Sequence, residues 1–218
     1  MEESLAMLRE EARQGVQGVV LTPHFYAGEQ SIERFLRHRY RAWRQLQPHL
    51  DASLPPVCLG AEVQYFEGIC QVEGLSSLCL NAGTLLLVEM PFSRWTQRTV
   101  SDILELHSRP NMKVVLAHID RYLGMQPAAM WQKLQDSGVL MQVNTSFFSS
   151  WRTRKKALRM LAEGRIHFIG SDCHSMKSRV PDCGQVIRLL QDQKYAGFLD
   201  TLQVRAYAYL GGSDAVVQ

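Results

Sequence analysis

Six short apolar runs recur along the chain, and each leads into a residue that can bind a metal or make strong hydrogen bonds. VVLTP (19–23) leads to His24, VCLGA (57–61) to Glu62 and LLLV (85–88) to Glu89. VVLA (114–117) leads to His118, MQV (141–143) to Asn144, and FIGS (168–171) to Asp172 and His174. Runs this short and this rich in Val, Ile and Leu read as buried strands. The stretches between them have the apolar spacing of amphipathic helices. Strands are expected at 16–22, 57–63, 84–90, 113–119, 139–143 and 167–170. Helices are expected over 2–14, 31–47, 97–107, 127–137, 152–163, 183–193 and 197–209. Leu5, Leu8 and Ala12 mark the buried face of the first helix, Gly15 its stop, and Ser31 the cap of the second. A polar loop joins 57–63 to 84–90. Strand–helix alternation, with no internal repeat and no low-complexity linker, argues for one parallel α/β domain over 1–218.

In a barrel of parallel strands, all C-terminal ends open on one face, where active sites are built. One histidine or glutamate after a strand is an ordinary loop residue, but six strand ends in phase form a constellation. His38, His49, His107 and His167 do not follow a strand and read as surface or structural residues. Histidines and carboxylates together suit divalent Mn, Fe or Zn. A net charge of +3 on 218 residues does not by itself point to nucleic acid. No run reaches the ~20 apolar residues of a membrane span, and no secretory signal is visible. Five cysteines without a CxxC pair suit a reducing compartment, so the expected location is the cytoplasm.

The pieces LTPH, GAEV, VEM, AHIDRY, QVN and SDCH, in this order, resemble the PHP (polymerase and histidinol phosphatase) domain. They are most similar to its branch of manganese-dependent protein-tyrosine phosphatases associated with capsule and exopolysaccharide genes. The resemblance covers nearly the whole chain from Glu2. It implies a distorted TIM-like (β/α)7-type barrel with up to three metal ions at its top. Carried over, it makes His24, Glu62, Glu89, His118, Asp172 and His174 metal ligands. Arg121 and Arg179 become the groups that bind the substrate phosphate, with Asn144 beside them. Mn2+ is the implied ion, with Fe2+, Zn2+ or Mg2+ as alternatives. The implied substrate is a phosphotyrosine-bearing protein, a tyrosine kinase of polysaccharide export. No nucleic acid and no membrane span are implied, and assembly into a homo-oligomer through the first helix is.

The family pattern opens with a strand bearing His-x-His and then an Asp, whereas this sequence starts at the first helix. The expectation is therefore a PHP domain truncated at its N-terminus, with strand one and three ligands absent. Such a chain would keep one complete site, from Glu62, Glu89 and His118, and hydrolyse phosphotyrosine poorly. A small ester such as histidinol phosphate is the alternative substrate, and a non-catalytic binding remnant the alternative class. Cys173 and Arg179 also fit the Cys-x5-Arg spacing of cysteine phosphatases. No glycine lies between them to let backbone amides converge on phosphate, so the spacing reads as chance. The basic stretches 34–44 and 151–159 read as solvated helix faces, with help in holding an acidic peptide as the alternative.

Overall fold

In the computed structural model, which describes residues 1–210, short parallel strands alternate with helices. The chain runs α1 (Glu2–Arg13), β1 (Val19–Leu21), β2 (His24–Phe25), α2 (Ile32–Leu46), β3 (Val57–Leu59), β4 (Glu62–Gln64) and β5 (Leu85–Glu89). It continues α3 (Gln97–His107), β6 (Lys113–Leu116), α4 (Ala128–Asp136), β7 (Leu140–Asn144) and α5 (Thr145–Ser149). It then runs α6 (Arg154–Ala162), β8 (Phe168–Gly170), α7 (Cys183–Gln191) and α8 (Ala196–Leu210). Residues 211–218 of the expected domain lie outside the described part. Among the described residues, no helix is long and apolar enough to cross a membrane.

Strands β2, β4, β5, β6, β7 and β8 form one parallel ladder in that order, and β1 pairs with β3 in a second. The six-stranded ladder curls: β2 and β8 are its two ends, yet the rings of His24 and His174 meet across it at 3.4 Å. The result is a half-barrel that fits a distorted TIM-like (β/α) barrel. Among the described residues, the outer edges of β1 and β8 have no strand partner.

The strands expected over 16–22 and 57–63 each break in two. Pro23 has no N–H to give a ladder, which ends β1. At Gly60 a Cβ would lie 2.5 Å from Leu80 Cδ2, so a larger residue at the bend between β3 and β4 would have to displace the Leu80 side chain. The two breaks lie side by side. Gly60 N donates to Leu21 O (2.8 Å) and Glu62 N to Pro23 O (3.1 Å), carrying the pairing across them. His24 thereby comes into register with Glu62. The segment between β4 and β5, expected as a polar loop, instead buries Ile69, Leu75, Leu78 and Cys79 in the main core. Two of its short 3-10 turns start at Gly68 and Gly74, both left-handed (φ 81° and 79°). Its apolar residues follow neither helix nor strand period because turns carry them inward.

Pleat parity sorts each strand into an outer and an inner set. Leu86, Val88, Val114, Leu116, Met141 and Val143 point outward into the large core beneath the helices. Leu85, Val115 and Leu140 point inward, where Leu87, Phe168 and Tyr209 complete a small apolar floor. Each fully buried leucine here contributes about 1.5–3 kcal/mol. The helix caps follow the sequence: Ser31 Oγ accepts Arg34 N, and Thr96 with Thr99 makes a reciprocal capping box on α3. On α1 the buried residues are Leu5, Leu8 and Glu11, so a carboxyl joins the face read as purely apolar.

Candidate metal centre at the strand ends

Continuing inward parity up a strand converts floor into rim. Leu85 and Leu87 are followed by Glu89, Leu140 by Gln142 and Asn144, and Phe168 by Gly170 and Asp172. His118 breaks this rule, since it falls on the outward parity of β6. Its left-handed backbone (φ 34°) turns the imidazole back toward the rim. The side-chain amide of Gln142 accepts His118 N–H and donates to Val143 O at 2.8 Å. A Cβ at Gly170 would lie 2.8 Å from that amide, so the glycine makes room for it.

Glu62 is the hub of the rim. Its Oε1 lies 3.1 Å from His118 Nε2 and 3.7 Å from His24 Nδ1. His118 Nε2 also lies 3.4 Å from Glu89 Oε1. Ligand atoms of His24, Glu62 and Glu89 all lie within 4.8 Å of one another. Burial alone would push the His118 pKa down, but its bonds to Glu62 and Glu89 outweigh this and raise it to about 9. Glu89 is correspondingly held below the usual carboxylate range, chiefly by His118.

Asp172 faces this cluster from β8. Its Oδ2 accepts from Arg179 Nη1 (2.9 Å), Asn144 Nδ2 (3.1 Å) and Arg121 Nη2. Arg121 Nη1 also comes within 4.0 Å of Glu89. His174 Nδ1 bonds to Asp172 O at 2.8 Å, which leaves Nε2 facing His24. Tyr26 stacks on His24 with ring centroids 5.5 Å apart.

The sequence-expected residues therefore gather at one mouth: His24, Glu62, Glu89 and His118 on one side, Asp172, His174, Arg121 and Arg179 on the other. Asn144 is buried and spends its amide on Asp172. This donor set fits a divalent cation. His24 Nε2 and His174 Nε2 lie 3.4 Å apart, and the buried Nδ1 atoms of His24 and His118 lack hydrogen-bond partners among the described residues. Carboxylates and imidazoles of this kind are the ligands that Mn2+, Fe2+ and Zn2+ accept.

Cys173 is turned away, with its thiol 3.7 Å from Glu11 Oε1 and its pKa pushed up by burial. A nucleophilic cysteine needs the opposite shift. His107 and His167 accept backbone N–H groups of Val114 and Met141, both at 3.1 Å. Of the two tryptophans beside basic stretches, Trp43 is core and Trp151 is 81% exposed. Sequence reading missed Gln142, Asp120 and Glu11. Asp120 accepts Asn144 N at 2.9 Å, and burial raises its pKa. The available signal was a polar residue on an apolar face, as with Gln142 inside MQV.

The sequence pattern of the family described as "Capsular polysaccharide synthesis, CpsB/CapC" matches residues 1–206. Tyrosine-protein phosphatase CpsB of Streptococcus pneumoniae is 28% identical over 194 residues, covering 83% of this chain and 78% of its own. Tyrosine-protein phosphatase YwqE of Bacillus subtilis is 25% identical over 188 residues, covering 81% of this chain and 71% of its own. The fold matches a crystal structure from work on YwqE and CpsB, described as unique metal-dependent tyrosine phosphatases. The TM-score is 0.79 at 21% identity, over 96% of this chain and 86% of that one. The likeness fixes the fold as theirs.

Proposed function

Because the chain belongs to the CpsB/CapC family of capsular polysaccharide synthesis, we propose that it is a metal-dependent phosphatase acting on phosphotyrosine in proteins. The observation that carries this reading is the juxtaposition of two charge systems at one mouth. An imidazole–carboxylate cluster centred on Glu62 faces two guanidiniums that converge on Asp172. The relatives named tyrosine-protein phosphatases support the substrate class.

His24, Glu62, Glu89 and His118, with Asp172 and His174 opposite, are the residues that would hold the metal. Mn2+ suits these ligands best on the family likeness, ahead of Fe2+, Zn2+ or Mg2+. A divalent cation bound there supplies Lewis-acid chemistry, acidifying water and offsetting charge on the phosphoryl oxygens.

Arg121 and Arg179 both reach Asp172, and Arg121 also comes within 4.0 Å of Glu89, so two guanidiniums line the mouth where a phosphate would be held. Each guanidinium has five N–H donors in a fixed fork and can pair two phosphoryl oxygens at once. Asn144 and Gln142 orient Asp172 and His118 through neutral amides that add no charge to the mouth. A phenolate, with pKa about 10, leaves phosphorus more readily than an alkoxide, so holding the phosphate is the larger part of the task.

The natural substrate in this reading is the tyrosine kinase that controls polysaccharide export, met in the cytoplasm. The free cysteines support a reducing compartment. Assembly of copies through α1 belongs to the same reading. The test is turnover of a phosphotyrosyl peptide against the matched phosphoseryl peptide, with and without chelator. Preference for phosphotyrosine, abolished by chelation, supports the proposal, and chelator-resistant turnover sinks it.

A further inference from the structure

Helix α1 contributes nothing to the metal cluster, yet it is bonded repeatedly to the loop that does. Residues 171–184 carry Asp172, His174 and Arg179. Ser171 Oγ donates to Glu11 Oε1 at 2.9 Å, and the Cys173 thiol approaches the same oxygen at 3.7 Å. Gln14 donates to Pro181 O and accepts from Gly184 N, both at 2.8 Å. Met176 N donates to Glu3 at 3.2 Å.

This loop needs holding. Asp172 and Arg179 are both left-handed non-glycine residues (φ 51° and 49°). Such backbone persists only where surrounding contacts over-determine it. Ser171 and Cys173 flank Asp172, so one carboxyl oxygen brackets it and leaves the Asp172 side chain free to face the rim. Glu11 is 5% exposed, and its Oε2 has no partner among the described residues. A carboxyl on the buried face of a helix is costly where an apolar residue would serve packing better. Burial pushes its pKa up, as expected for a group that gains little from solvent.

We infer that Glu11 is a positioning residue: by holding Ser171 and Cys173 against α1 it sets Asp172, His174 and Arg179 at the mouth. The inference rests on the proposed metal-dependent activity for its consequence, but its geometry is independent of it. Groups behind a metal ligand commonly change affinity or turnover by about 10–100-fold when removed.

The experiment uses the full chain carrying Glu11→Ala, Glu11→Gln or Ser171→Ala. Glu11→Ala should speed amide hydrogen exchange over 171–184 at least about 10-fold, weaken Mn2+ binding about 10-fold and lower kcat while KM changes little. Glu11→Gln keeps a carbonyl acceptor and should recover most of each, whereas Ser171→Ala should lie between. If Glu11→Ala does not fold, Ser171→Ala, which removes only the donor, carries the test. Unchanged exchange and Mn2+ affinity on losing the contact overturns the inference, as does a Gln variant as damaged as Ala. A wild-type chain that binds Mn2+ but spares phosphotyrosine defeats the proposed activity alone. The exchange and binding results would still decide the role of Glu11.

Discussion

His118 and His167 stand at opposite ends of the barrel, and their surroundings shift them in opposite directions. His167 precedes β8 at the floor, where burial and then Arg205 push its pKa down to about 4 and its Nδ1 accepts Met141 N–H. His118 follows β6 at the rim, where burial is outweighed by Glu62 and Glu89 and the pKa rises to about 9. The same side chain is backbone packing at one end and a charge partner at the other. The strands show the same division: Leu85 and Leu87 share a face with Glu89, and Phe168 with Gly170 and Asp172. Position along a strand, more than residue type or burial, separates structural from chemical groups here.

Exchanging the two histidines for alanine tests that division most strongly. His118→Ala should cut Mn2+ affinity and phosphotyrosine turnover at least about 100-fold. His167→Ala should leave both within about 3-fold and cost about 1–2 kcal/mol of stability through an unpaired Met141 N–H. Equal losses of metal from both variants would end the distinction. At the floor, Leu85→Ala should cost about 2–4 kcal/mol in urea unfolding, because the residue is 1% exposed and leaves a cavity. Metal affinity of the folded variant should stay near wild type, and a parallel loss would mean floor and rim are one unit.

A smaller effect comes from pH. The folded pKa of His167 lies below its unfolded value, so its contribution is full above about pH 6.5 and is lost as pH falls toward about 4. Partial exposure limits the change to about 2 kcal/mol. His167→Gln, which cannot titrate, should flatten that part of the stability profile, and an unchanged slope would show the proton goes elsewhere. Cys173→Ser should do least, keeping turnover within about 3-fold, since a hydroxyl can still donate to Glu11. Loss of all activity would revive a thiolate mechanism.

The rim was legible in sequence because ligand-type residues directly follow apolar runs. The strands of the floor were legible as short apolar runs, but a run such as LLLV is apolar on both faces and does not say which residues point inward. The kink at Gly60 was not legible, since it depends on Leu80 packing from a segment 20 residues away. Nor was the burial of Ile69 and Leu78, which turns deliver without a period. Glu11 sat where Ala12 was read as the inward residue, because helix spacing fixes a face only to within one position. His118 shows the deeper limit: its direction is set by one left-handed residue, which no periodicity reports.

The central claim is that these strand ends hold a divalent cation used against phosphotyrosine. The most direct measurement is to strip the protein with chelator and titrate Mn2+ back, following bound metal and phosphotyrosyl-peptide turnover together in wild type and His118→Ala. Turnover that rises with bound Mn2+ in wild type, and neither metal nor turnover in the variant, is the expected result. Turnover without bound metal, or Mn2+ bound equally well by His118→Ala, would contradict it.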